Sequence, residues 1–341
     1  MEKKVLTQIQ NSVQAKRRNL NDWLEATPQP EKELCLDCQD DQPVERHLAV
    51  LDRTLEKAAN DTLGICSVCH GQVEESLLEI DYTASVCLDC LTEPERRQLE
   101  AELEFSSEIQ RALLPQQAPS IPGLDIGAFS RPAQIIGGDY FDFFRFKSGS
   151  YGLIIADVAG KGFSSSLLVS SLQTALLTLV ADSDSATDVI RRINHYFLHN
   201  VKLTTFVTLF LGQYDPERRM LAYSNAGHNP PLLYRPGASA PLTWLSPTGA
   251  AIGIMEEYTL RSEGFALQPE DVLLLYTDGV TELTDPSRQP FGTGRLADLV
   301  VANAGASAQE LVSVIHKSLN DFGGQASPAD DVTIVAVKAL P

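Results

Sequence analysis

Tyr151-Gly-Leu-Ile-Ile-Ala-Asp157-Val-Ala-Gly160-Lys-Gly162 is an apolar run that ends on a carboxylate and a glycine-rich turn. A short run of this kind, bounded by glycines, reads as a strand buried on both faces. A carboxylate at its end does not stay ionised cheaply unless something positive meets it. The arrangement returns along the chain. Val272-Leu-Leu-Leu-Tyr-Thr277 ends on Asp278-Gly279, Asp330-Asp331 opens the run Val332-Thr-Ile-Val-Ala-Val337, and Asp139 follows Gly137-Gly138. Any one of these is explained by the abundance of Asp in turns. Together they read as a set of hard oxygen ligands without histidine, which selects Mg²⁺ or Mn²⁺ over zinc.

Around these runs, further strands are expected at 204–214 and 218–225, joined by the turn Asp215-Pro-Glu-Arg218, and helices at about 163–181 and 186–200. Strands and helices come in blocks rather than in strict alternation, so the expected class is α+β, in layers around antiparallel sheets.

The first third of the chain is different. All six cysteines lie between positions 35 and 90, as the pairs Cys35/Cys38, Cys66/Cys69 and Cys87/Cys90. The last two pairs are separated by 17 residues, the spacing of a four-thiolate zinc site, in which two Cys-x-x-Cys knuckles complete a tetrahedron. Cys35/Cys38 has no partner pair and reads as a redox pair, half of an intersubunit metal site, or a turn. His70 is a rival zinc ligand. Residues 2–26, with Val5, Ile9, Val13, Leu20 and Leu24, and residues 44–60, with Leu48, Leu51 and Leu55, carry helical spacing and suggest a helical hairpin ahead of the knuckles. Residues 94–114 read as one more helix, with Pro94 in its first turn and Pro115 at its stop. Its stripe of Leu99, Leu103, Phe105, Ile109, Ala112 and Leu113 lies either on its own domain or against a second copy. The expected domains are therefore 1–93, a linker helix 94–115, and 116–341.

Forty-five acids against 27 Lys and Arg leave a net charge of −18. That balance argues against a general nucleic-acid or anionic-membrane binder. Residues 1–104 hold 22 acids and 11 bases, and residues 105–341 hold 23 and 16, so the first third is the more acidic per residue. The N-terminus lacks the apolar core of a signal peptide. The most apolar stretch, Leu167 to Val180, is too short to span a bilayer and contains Ser170, Ser171, Gln173 and Thr174. The expected compartment is the cytoplasm, where paired thiols suggest metal rather than disulfide.

Two resemblances follow. Leu63-Gly-Ile-Cys-Ser-Val-Cys-His-Gly71, followed by Val86-Cys-Leu-Asp-Cys90, resembles the DksA/TraR zinc fingers, which carry a helical hairpin ahead of the finger and act at RNA polymerase. From about residue 105 onward, Gly137-Gly-Asp-Tyr-Phe-Asp-Phe143, Ala156-Asp-Val-Ala-Gly-Lys-Gly162, Ala226-Gly-His-Asn-Pro-Pro231, Tyr276-Thr-Asp-Gly-Val-Thr-Glu282 and Asp330-Asp-Val-Thr333 resemble the SpoIIE/RsbU-like branch of metal-dependent serine/threonine phosphatases. Ser107-Glu-Ile-Gln-Arg-Ala-Leu-Leu-Pro115 is similar to that branch's lead-in helix.

The second resemblance implies an αββα sandwich with a two-metal site. Asp157 would bridge both Mn²⁺ or Mg²⁺ ions, with the Val158 carbonyl on one of them. Asp278 and Asp330 would complete the second ion's shell, and Asp139 would bind the first directly or through water. Asp331 is the lesser candidate of its pair. The broader family's phosphate-binding Arg is replaced here by Gln134, with Arg131 and Lys161 as substitutes. His228 is expected to brace a turn, and His195 and His199 to lie on a helix surface. The resemblance implies a phosphatase acting on a STAS-domain anti-anti-sigma factor, regulated by the zinc module, with a homodimer formed through the linker helix. The competing readings are docking of the zinc module on RNA polymerase, with the phosphatase domain secondary, and a thiol sensor.

Overall fold

Along Tyr151–Val158 the side chains alternate between two cores: Leu153 and Ile155 enter one, while Ile154, Ala156 and Val158 enter another. Successive side chains of a strand point to opposite faces, so a continuous apolar run marks a strand covered on both sides. The same alternation divides Leu273 and Leu275 from Val272, Leu274 and Tyr276, and Val335 and Val337 from Val332, Ile334 and Ala336. Four layers follow from these assignments.

The computed structural model describes residues 3–26, 42–74, 77–78, 84–133, 135–159, 163–200, 206–256, 258–324 and 330–341. Cys35, Cys38, Gln134 and Lys161 lie outside them. The chain divides into two compact units, Met1–Glu102 and Leu103–Pro341.

In the first unit, helices α1 (Lys3–Ala26) and α2 (Gln42–Ala59) pack on each other. Val13 and Leu51 are fully buried, and Arg17 and Asp52 form an ion pair between the helices. Beyond α2 the chain turns through Asp61 and Gly64, both in the left-handed region, into the first cysteine knuckle. Helix α3 (Glu93–Leu113) begins just after the second knuckle and continues past the division between the units.

The second unit contains two antiparallel sheets. One has the order β1 (Leu124–Arg131), β10 (Val332–Ala339), β9 (Val272–Tyr276), β6 (Leu232–Tyr234), β7 (Leu242–Trp244). The other has the order β2 (Asp139–Arg145), β3 (Tyr151–Val158), β4 (Val207–Asp215), β5 (Met220–Ala226), β8 (Glu263–Ala266). A core containing Phe141, Phe210, Tyr214, Leu273 and Val335 lies between the sheets. Helices α4 (Phe163–Val180) and α5 (Ala186–Asn200) cover the outer face of the second sheet. Helices α6 (Gly292–Ala302) and α7 (Ala308–Gly323) cover that of the first. The αββα sandwich expected from the sequence is the fold observed.

Helices α6 and α7 go beyond the two expected after residue 120. One signal for α7 was readable: Ser307 and Glu310 form a reciprocal capping box at its start. Among the described residues, no helix is long and apolar enough to cross a membrane.

Candidate active site

Strand parity brings the chemistry to one surface. Asp139 shares the parity of Phe141, Asp157 that of Leu153 and Ile155, Thr277 that of Leu273 and Leu275, and Asp331 and Thr333 that of Val335. All five therefore belong to the faces that look at each other between the sheets. Asp139 and Asp157 are direct cross-strand partners, and Asp157 also faces Thr208 on β4. Asp278 opens a single helical turn, Asp278–Thr281, immediately beyond β9.

Asp139 is 6% exposed. Burial, then the charges of Asp157 and Asp331, push its carboxyl well above the usual carboxylate range, while hydroxyl groups of Thr333 and Thr277 act in the opposite sense. The Thr277 hydroxyl donates to Asp139 Oδ2 at 2.8 Å. Asp331 is likewise raised, first by burial. Its two oxygens accept the amides of Ala133 at 2.7 Å and Gly138 at 2.6 Å. Asp331 thereby fastens the turn that delivers Asp139, while Asp330 Oδ1 accepts the Asp331 amide at 3.0 Å.

The glycines of these motifs have a steric reason. A Cβ on Gly137 would lie 2.5 Å from Asp331 Oδ2, and one on Gly279 would lie 2.0 Å from the Asp331 carbonyl oxygen. Both distances are far inside van der Waals contact, so only glycine lets the aspartate loops approach. Gly137 is held further by Gln110 of α3, whose amide group donates to its carbonyl at 2.6 Å and accepts its N–H at 3.0 Å. Gln110, Thr277, Thr333 and Asp331 in its bracing role were not singled out from the sequence. Only the Ile109-Gln110 segment and the Thr in two motifs hinted at them.

The charges facing Asp139 are carboxylates and its neutral partners are hydroxyls, an all-oxygen donor set that suits a hard divalent cation. A Cβ on Gly138 would lie 2.9 Å from the Val158 carbonyl oxygen, which brings that carbonyl beside the same turn. The aspartates form no group of three with ligand atoms within 4.8 Å of one another among the described residues.

The cysteines do. Cys66, Cys69, Cys87 and Cys90 place all four sulfurs within 4.8 Å, with Cys69 and Cys87 Sγ 3.6 Å apart. Backbone amides point at the sulfurs: Val68 and Cys87 N–H to Cys66, and Gly71 N–H to Cys69, each at 3.4 Å. Such amides lower the Cys66 thiol, whereas burial raises Cys87 and the neighbouring Cys87 thiol raises Cys90. Four sulfurs converging on one centre fit a thiophilic cation such as zinc. His70 stands outside this group.

Other histidines and basic residues take distinct places. His228 is fully buried and braces its turn as expected, its N–H donating to Asn225 Oδ1 at 2.8 Å. Its Nδ1 also lies 2.9 Å from the Thr208 hydroxyl, the cross-strand neighbour of Asp157. Arg131, a candidate substitute for the family's phosphate-binding arginine, sits beside His316. It shares the parity of Phe129 and lines a small cavity with His316, Leu319 and Asn320 on the helix side of its sheet. His195 and His199 lie exposed on α5. A groove of about 870 Å³ between α4 and α5, lined by Leu167, Thr174, Arg191 and Tyr196 among others, does not contain the aspartates.

Two facing antiparallel sheets flanked by helix pairs, with aspartates gathered between them, define the PP2C-type class of protein phosphatases. The SiaA PP2C domain of Pseudomonas aeruginosa superposes with a TM-score of 0.63 at 22% identity, over 72% of this chain and 99% of that one. The RsbU and RsbW domains of Rv1364c from Mycobacterium tuberculosis match with a TM-score of 0.55 at 29% identity, over 65% of this chain and 61% of that one. The model of the stage II sporulation protein E (SpoIIE) family matches residues 147–340, and the chain belongs to that family. Phosphoserine phosphatase RsbU of Bacillus subtilis (strain 168) is 30% identical over 249 residues, 71% of each chain.

Proposed function

We propose that this chain hydrolyses phosphoserine or phosphothreonine on a regulatory protein, with Asp139, Asp157, the Val158 carbonyl, Asp278 and Asp330 holding two Mn²⁺ or Mg²⁺ ions. The observation that carries the reading is the cross-strand pair Asp139–Asp157 facing Asp331 and Thr277 of the other sheet. When bound, divalent cations supply a water of lowered pKa and neutralise charge growing on the phosphoryl oxygens. The chain's part is to aim the carboxylates and to keep their spacing through the Gly137-Gly138 turn. Asp331 serves that turn as well as being the lesser ligand candidate. The similarity to a protein named phosphoserine phosphatase supports the substrate type, and the family resemblance suggests a STAS-domain anti-anti-sigma factor as the partner.

The first unit is the regulator in this reading, a DksA/TraR-like helical pair with one Zn²⁺ on Cys66, Cys69, Cys87 and Cys90. Helix α3 starts three residues after Cys90 and carries Gln110, which hydrogen-bonds Gly137, so one helix runs from the knuckle to the residue that grips the Gly137 turn. Phe105 and Ile109, 63% and 47% exposed and one helical turn apart, support pairing of α3 with a second copy.

Hydrolysis of a phosphoserine peptide should require Mn²⁺ or Mg²⁺ and fall about 10³-fold or more in Asp157→Asn and Asp278→Asn. Full activity in both variants would sink the proposal. Sedimentation of the full chain as a monomer at working concentrations would remove the paired helix.

A further inference from the structure

We propose that Thr277 is a positioning residue: fixed by the backbone of Thr333, its hydroxyl forms a clamp, anchored in the first sheet, that aims the Asp139 carboxylate of the second sheet at its cation. This rests on the reading of Asp139 as a cation ligand.

The clamp has a fixed polarity. The Thr333 amide donates to Thr277 Oγ1 at 3.0 Å, so the Thr277 oxygen is already an acceptor and its single proton is directed to Asp139 Oδ2 at 2.8 Å. The Thr277 amide in turn donates to the Thr333 carbonyl at 3.1 Å, locking the two residues together. The Thr333 hydroxyl favours the ionised form of Asp139 and lies 2.9 Å from Ser130 Oγ on β1. Thr277 and Thr333 are both fully buried, so neither hydroxyl has water as an alternative partner. Asp139 thus receives a donor from the end of β9, while its backbone belongs to β2. Its Oδ2 is committed to the Thr277 hydroxyl, which restrains the rotation of the carboxylate. Groups behind a metal ligand orient it in this way, and their removal commonly weakens metal binding 10–100-fold. The hydroxyl is what matters here, since valine keeps the shape and serine keeps the donor.

The test is Mn²⁺ titration of the full-length, zinc-loaded protein by calorimetry, with kcat measured at saturating Mn²⁺. Thr277→Val should weaken Mn²⁺ binding about 10–100-fold, Thr277→Ser should keep wild-type affinity, and Thr333→Val should weaken it in the same direction. In an Asp139→Asn background, Thr277→Val should cost no further affinity, because its partner is already changed. Wild-type affinity in Thr277→Val, equal damage from serine and valine, or a further loss in the Asp139→Asn background would each overturn the clamp. If Thr277→Val does not fold, Thr333→Val carries the same expectations. A wild-type protein that binds no Mn²⁺ would instead overturn the cation site itself.

Discussion

The cysteine cluster and the aspartate site, the two places proposed to hold cations, are assembled in opposite ways. The cluster spans Cys66 to Cys90, and each knuckle closes on itself: in the first, Cys66 N–H donates to the Gly71 carbonyl and His70 N–H to the Cys66 carbonyl, and in the second, Cys90 N–H donates to the Cys87 carbonyl. The aspartate site draws on residues from Gln110 to Thr333 and exists only where two sheets face each other. A local cluster gains its stability from the ion it binds. A site of long range draws on a core that stands behind it, here the inter-sheet layer of Phe141, Phe210, Leu273 and Val335.

That contrast can be broken experimentally, and the largest effect is at the cysteines. Structural zinc in small modules contributes about 10 kcal/mol or more of apparent binding free energy. Chelation, or Cys66→Ser, should therefore expose residues 63–91 to protease and take zinc content to zero while Mn²⁺ binding by the second unit persists. Loss of both together would refute the separation.

The next effect is a pH dependence of the inter-sheet region. Burial lowers His228 from 6.5 to about 4, so in the folded chain it stays neutral where the unfolded chain takes up a proton. Its contribution is complete above pH 6.5 and is lost as pH falls toward 4, on the order of 3 kcal/mol in total. Thermal unfolding of the second unit should show this acid-side loss, and His228→Gln should flatten it.

Gly279→Ala should cost the second unit about 1–3 kcal/mol, because the new Cβ meets a backbone oxygen that has no rotamer with which to yield. A lowered melting temperature with unchanged zinc content is the expected readout. An unchanged melting temperature would mean that the aspartate loops can part without cost. The smallest effect is expected for Gln110→Ala, which removes both hydrogen bonds to Gly137, about 1–2 kcal/mol. Calorimetric Mn²⁺ affinity that falls along with stability would sharpen the role of α3 at the catalytic turn.

The two sites were also unequally legible. Cys-x-x-Cys spacing is local and needs no fold to interpret, so all four sulfurs were named in advance and the structure brings them together. The aspartates were visible as carboxylates at strand ends, because a doubly buried strand leaves a continuous apolar run that stops abruptly. What supports them was not visible. Thr277 and Thr333 lie 56 positions apart, and nothing in either segment says that one amide will fix the other's hydroxyl. Arg131 shows the converse. It stands near the catalytic segment in sequence, but strand parity turns it to the helix layer beside His316. Helices α6 and α7 escaped for a related reason, since α6 starts on Gly-Thr-Gly and its apolar residues find their face only against β6, α7 and the core they share.

The chain alone determined its class, the metal-binding residue types and the division between a cysteine-bearing first third and a catalytic remainder. These depend on composition, period and short spacing, which are properties of neighbouring residues. Tertiary structure decided which carboxylate braces a turn, which hydroxyl donates to Asp139 and which arginine lies beside His316. Those outcomes depend on cross-strand register and on which faces of two sheets meet, and no local segment carries that information.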